Sequence, residues 1–176
     1  MAKRLRFEFF ISLTCILVCV ALLSSCANDP DPYDAVSRAL SREPSAASGR
    51  IYSLDAKEWE DAYLPDDMLL SIYGFDRSTV SISAGAVYLS GFCHPCEIAV
   101  FITADTKSAE DIALYFHNRL RLLSSNAQSA ATTAGMTLEE YRKYIDGAAV
   151  IIKGRAVALL ISGDISEAKK ALYKAL

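Results

Sequence analysis

Cys93-His94-Pro95-Cys96 is the stretch of this 176-residue chain whose residue types and spacing come nearest to chemistry. The other three of the five cysteines are Cys15 and Cys19, inside an apolar N-terminal run, and Cys26 at its end. Two thiols at this spacing can close a local disulfide, exchange with external thiols or contribute ligands to a metal. Exchange needs a stabilised thiolate, which a helix N-terminus supplies through its dipole. Cys96 instead leads into Ile98, Val100, Phe101 and Ile102, a strand pattern. The first reading is therefore a disulfide between Cys93 and Cys96, or a structural thiol pair, tightening a turn. Thiol exchange and metal handling stand as alternatives. A closed zinc site takes four ligands, and besides the two cysteines only His94 and His117 are present; His117 lies one position off the apolar face of its helix and reads as a surface residue. No metal or cofactor is expected. No G-x-S-x-G, H-E-x-x-H, phosphate loop or dinucleotide fingerprint occurs, and neither histidine adjoins a serine elbow. No catalytic residue is assigned, and an enzyme is not the expectation. The acids from Asp55 to Asp67, around Trp59 and Tyr63, lack the spacing of a calcium loop and read as a solvated face.

The N-terminus carries a second kind of signal. Lys3, Arg4 and Arg6 precede an uncharged run from Phe9 to Leu23, shorter than the roughly 20 residues a membrane-spanning helix needs. Residues 1–25 read as a signal peptide. Leu23-Ser24-Ser25-Cys26 resembles the lipobox of bacterial lipoproteins. That resemblance implies cleavage before Cys26, a diacylglycerol on its thiol and residence on the extracytoplasmic face of the cell membrane. Two acyl chains suffice to hold a protein there stably. Residues 26–31 then form a tether and 32–176 a single domain. Removing 1–25 takes away three basic side chains and one acid, leaving 15 basic and 20 acidic residues, a net charge near −5. This balance excludes a basic nucleic-acid binder, and the 52% hydrophobic content is partly the discarded segment.

Periodicity supplies the elements. Asp31, Pro32 and Asp34 start a short helix that stops at Glu43-Pro44, and Ser45 to Gly49 reads as a loop. Met68 to Tyr73 predicts a second helix closed by Gly74. From Thr79 the period is two, with Val80, Ile82 and Ala84 inward, a bulge expected at Gly85, and the strand continuing through Leu89. Glu97 to Thr103 is a second strand. A helix follows, capped by Ser108, with Ala109, Ile112, Ala113, Phe116, Leu120 and Leu123 on one face. Ser124 to Gly135 reads as a surface loop, and Thr137 with Glu140 forms a capping box for a helix through Tyr144. Ala148 to Lys153 and Arg155 to Ser162 form a hairpin about Lys153-Gly154, and Asp164 with Glu167 caps the last helix. The expected fold is α+β: a four-stranded antiparallel sheet made of two strand-strand-helix units, with helices mainly on one face. The last two strands are apolar at nearly every position, so a helix or a partner must cover their second face.

Glu97-Ile98-Ala99-Val100-Phe101, Arg119-Leu120, Tyr141, Val150-Ile151-Ile152-Lys153-Gly154-Arg155 and Val157-Ala158-Leu159 resemble the domain-of-unknown-function 4358 family, over roughly residues 55–176. The resemblance implies a bacterial, surface-anchored protein, mostly a Firmicutes lipoprotein, and supplies no activity. Cys93-His94-Pro95-Cys96 and the Ser/Ala/Thr-rich loop depart from its pattern. The functional expectation is a membrane-anchored extracytoplasmic lipoprotein that binds an unidentified protein, envelope component or solute, and no nucleic acid. The alternative is an accessory thiol-disulfide or metal-handling protein using Cys93 and Cys96.

Overall fold

Alternation in the middle of the chain builds a sheet whose two central strands are buried from end to end, and the helices are distributed to satisfy them. The computed structural model describes residues 29–43, 48–91 and 94–176. Residues 1–25, expected to be a signal peptide, Cys26 and Cys93 lie outside the described residues.

Helix α1 (Pro32–Leu40) starts as expected: the Asp31 carboxylate accepts from the Tyr33 amide at 2.9 Å, and Pro32 fills the first helical position. Strand β1 (Gly49–Ser53) follows, then helix α2 (Asp66–Tyr73), which ends on left-handed Gly74. β2 (Ile82–Ser90) and β3 (Glu97–Thr103) pair antiparallel. The register shift lies between Ile82 and Ala84, ahead of the glycine where the bulge is expected. Gly85 has another duty: it sits opposite Phe101, where a β-carbon would come within 2.4 Å of the ring. Helix α3 (Thr106–Ser125) is capped by Asp105, whose carboxylate accepts from the Ser108 amide at 2.7 Å, so Ser108 is inside the helix and is not its cap. Helices α4 (Ala127–Ala134) and α5 (Leu138–Asp146) come next, then strands β4 (Ala149–Lys153) and β5 (Ala156–Ile161) and helix α6 (Ile165–Ala175). Gly154 turns the β4–β5 hairpin with φ 61°. Asp164 precedes α6 without a side-chain cap bond.

The sheet is open, antiparallel at every junction, and has five strands in the order β1-β2-β3-β5-β4. The expectation of four missed β1. That edge strand has five residues, only Ile51 and Tyr52 carry a strand preference, and it exists because β2 offers it an unpaired side. The stretch expected to be a loop after Ser124 is helical through α4, which Gly135 closes with φ 68°. Thr132 and Thr133 turn their hydroxyls back onto the carbonyls of Gln128 and Ser129, at 3.0 Å each, while Ala127 and Ala131 are buried. A run of small polar residues can therefore lie down as a helix once a neighbour covers its alanines.

Helices cover both faces of the sheet, which corrects the one-sided expectation. Residues directly opposite in an antiparallel pair share a face, so Glu97, Ala99 and Phe101 lie with Leu159, Val157 and Ile161, and Ile98 and Val100 lie with Leu160 and Ala158. All ten are buried. Phe101 meets Phe116 of α3, with ring centroids 6.0 Å apart, and packs with Tyr73 and Phe75 into one aromatic group. α1 and α6 lie against each other on the second face. Past the end of α1, buried Glu43 accepts from the Ser162 hydroxyl and, at 3.3 Å, from the Asp164 amide, tying α1 to the start of α6.

The sheet has two distinct ends. β3 runs about 20 Å from Glu97 to Thr103, at roughly 3.3 Å per residue. At the Thr103 end its amide donates to the Arg155 carbonyl at 2.9 Å, and the Arg155 guanidinium holds Asp29 at 2.5 Å. The other end carries the cleft described next.

Candidate functional site

A cleft of about 410 Å³ opens at the Glu97 end of the sheet. Its walls are aliphatic, from Ile72 of α2, Leu89 of β2, Leu123 of α3 and Ala130 of α4, and its floor is polar. The floor is an ion pair. Glu97 begins β3, Arg119 projects from the middle of α3, and the guanidinium donates to Glu97 Oε2 at 3.0 Å. The Glu97 side chain is only 5% exposed and Arg119 25%, so this pair is held largely out of water. Burial pulls against the Arg119 cation, but Glu97 outweighs it and keeps the guanidinium above its ordinary range. Among the described residues Glu97 Oε1, Arg119 Nε and the Tyr73 hydroxyl are buried without a partner of good hydrogen-bond geometry, the Tyr73 hydroxyl standing near the Glu97 carboxylate. Burial first, and the Glu97 charge second, push Tyr73 well above the usual phenol range, so it stays a protonated donor beside an incompletely bonded acceptor. Buried polar groups are nearly always satisfied, so among the described residues three incompletely bonded atoms around one ion pair mark where the interior is least complete.

The turn between β2 and β3 forms the rim. The Ser90 amide donates to the Cys96 carbonyl at 3.3 Å and the Ser90 hydroxyl donates to the His94 carbonyl, while the His94 amide reaches Gly91 at 3.2 Å. His94 Nδ1 accepts from the Cys96 amide at 3.3 Å, and the ring meets Tyr144 edge-on with centroids 5.1 Å apart. Burial lowers the His94 pKa, favouring the neutral imidazole that this acceptor geometry requires. Cys96 is 1% exposed and unpaired among the described residues, while Cys93 lies outside them, so the disulfide expected between the two is left to experiment. Burial, with Glu43 and Glu97 adding to it, pushes the Cys96 thiol up to about 12. A thiol so placed, entering a strand instead of a helix, is a poor nucleophile and a poor metal ligand.

The remaining sequence candidates lie apart from this cleft. His117 is on the exposed face of α3. Of the acidic stretch, Asp66 is clasped by Arg77 through Nε at 2.8 Å, Asp61 lies 3.5 Å from Arg50, and Trp59 is exposed under Lys57. Among the described residues no three His, Cys, Asp or Glu side chains converge as a metal site would require. The cleft brings together residues that a motif search does not flag. The signal was nonetheless present: Glu97 is a lone charge opening an unbroken apolar strand, and Arg119 falls three positions after Phe116 on the face that α3 buries.

No family model, no curated protein and no solved structure matches this chain.

Proposed function

We propose that the chain is a lipid-anchored extracytoplasmic binding module, held on the membrane through diacylglycerol on Cys26, with the cleft over Glu97 and Arg119 as its binding site. One observation carries this reading: Asp29, three residues after Cys26 and within the stretch expected to be a tether, is fixed at the Thr103 end of the sheet, and the cleft opens at the opposite end. A domain attached at one pole presents its recess at the other. The cleft's chemistry suits binding more than turnover, because its charges neutralise each other and the thiol that lines it among the described residues, Cys96, is buried as the neutral form. Its occupant is a small, net-neutral solute or an envelope or protein segment that sets apolar surface against Ile72, Leu89 and Leu123. The likeness to the domain-of-unknown-function 4358 family belongs to the same proposal. Two experiments test it. Cys26→Ser releases the chain from the membrane fraction or leaves it unprocessed, and an unchanged, lipid-bearing, membrane-bound product refutes the anchor. Photo-cross-linking from Leu123 and Ala130 on intact membranes captures the occupant; equal capture from His117, outside the cleft, refutes the site.

A further inference from the structure

The Thr103 end of the molecule carries a feature that the cleft does not use. Arg155 grips both carboxylate oxygens of Asp29, at 2.6 and 2.5 Å. Asp29 is the third residue after Cys26, so at roughly 3.5 Å per residue Cys26 stays within about 10 Å of that ion pair. The same hairpin places Lys153 beside the last turn of α6, its ammonium 5.1 Å over the Tyr173 ring and 3.4 Å from the Tyr173 carbonyl. Lys153 lines a groove of about 700 Å³ with Ser166, Lys169, Lys170, Tyr173 and Lys174. Four of the seven lysines that follow Cys26 are gathered here, in a chain whose charge after the signal peptide is near −5. On α6 itself the acids are Glu167, paired with Lys170 at 2.7 Å, and Asp164 just before the helix; Asp29, Asp31 and Asp34 at the start of α1 and Asp105 beside Thr103 lie at the same end, with Asp29 held by Arg155 and Asp34 by Arg38. Tyr173 is 55% exposed among the lysines, an amphipathic ring with cations on either side.

We propose that this face of α6 and the β4–β5 hairpin is a membrane-binding surface, on which Lys153, Lys169, Lys170 and Lys174 engage the phosphates of anionic phospholipids and Tyr173 sits at headgroup level. The surface rests on the anchored reading, since the lipid on Cys26 brings it to the bilayer. The distances agree: a tether reach of about 10 Å is no longer than the Debye length near 0.1 M salt, about 10 Å, so the lysines work inside the leaflet's field. Lysines flanking an exposed aromatic are the composition that interfacial helices use. A lipid tether alone leaves the domain free to tumble. The lysine face fixes which way it stands and so holds the cleft outward.

The test uses the full lipidated chain, reconstituted in vesicles of phosphatidylcholine alone or of phosphatidylcholine with phosphatidylglycerol. A water-soluble amine-acylating reagent is added, and labelling is read lysine by lysine. On the anionic vesicles Lys153, Lys169, Lys170 and Lys174 are acylated roughly fivefold more slowly, the factor that about 1 kcal/mol per lysine near an anionic surface gives. Lys143, on α5 at the cleft end, reacts equally on both. The double variant Lys169→Glu with Lys174→Glu, at two exposed positions, removes the slowing at Lys153 and Lys170. A lipidated, vesicle-bound chain whose four lysines react at the same rate on both compositions overturns the surface and leaves the anchor standing. A chain that carries no lipid on Cys26 and floats with neither vesicle overturns the anchored reading and this surface with it.

Discussion

Replacing Arg119 by methionine keeps the stem of the side chain and removes the charge, stranding Glu97. The Glu97 carboxylate is almost wholly buried, and among the described residues one of its oxygens already lacks a partner of good hydrogen-bond geometry. Removing one member of a buried pair typically costs about 3 to 5 kcal/mol, because the survivor stays desolvated and uncompensated. Arg119 is a quarter exposed, which admits some solvent, so the lower figure, about 3 kcal/mol, applies. Urea unfolding of the chain from residue 26 onward, with Cys26→Ser, measures it: at an m-value of about 2 kcal/mol per molar the midpoint falls by about 1.5 M. The second arm is Arg119→Met with Glu97→Met. If the loss comes from the stranded charge, the double variant unfolds later than the single one, because an apolar pair needs no solvation. A single variant within about 0.5 kcal/mol of the parent, or a double variant less stable than the single, refutes the picture of a desolvated pair under the cleft.

Three further outcomes follow from the same structure. In the reduced chain Cys96 resists iodoacetamide at pH 8 while folded and reacts in urea, as a buried thiol pushed up to about 12 must; native alkylation at the rate of an exposed cysteine contradicts its placement. Gly85→Ala drives a β-carbon to within 2.4 Å of Phe101 and 3.0 Å of Leu54, and lowers unfolding stability by about 1 to 3 kcal/mol; an unchanged denaturation midpoint shows that the ring can move aside. Arg77 lowers the Asp66 pKa in the folded chain, so the pair's contribution is complete above the unfolded value and disappears as the pH falls through the lower folded one. Asp66→Asn therefore costs less than about 1 kcal/mol at pH 7, the pair being half-exposed, and nothing once the pH lies below both values; a cost that grows on acidification would reverse the sign.

Elements marked by their own residues were legible before the structure. Asp31-Pro32 opens α1, the Thr137 and Glu140 box is fully formed at α5, and β3 occupies the expected seven residues. What escaped depends on contacts made from a distance. β1 is a strand because β2 lies beside it, and α4 is a helix because its alanines find cover. The covering of both sheet faces was half-legible, in the apolar density of β5, but not which helices would supply it. At the site, Cys93 and Cys96 carry chemistry that is visible in the letters of the sequence alone. The Glu97 and Arg119 pair required knowing that β3 and α3 would be adjacent.

The pairing of α1 with α6 has a consequence for how the chain comes to be folded. These are the first and last elements among the described residues, and together they close the face formed by Ile98, Val100, Ala158 and Leu160. That layer cannot be completed until the final turn of the chain has emerged, so the contacts that seal it span nearly the whole domain and are among the slowest to form. Until then α1 has no partner helix beside it and the β5 and β4 part of that face is uncovered, as it remains in a chain cut short before Ile165. This is a built-in completeness check: a product lacking α6 leaves the β5 and β4 part of its sheet uncovered and open to proteolysis, whereas a chain that includes α6 shuts it in one closing step.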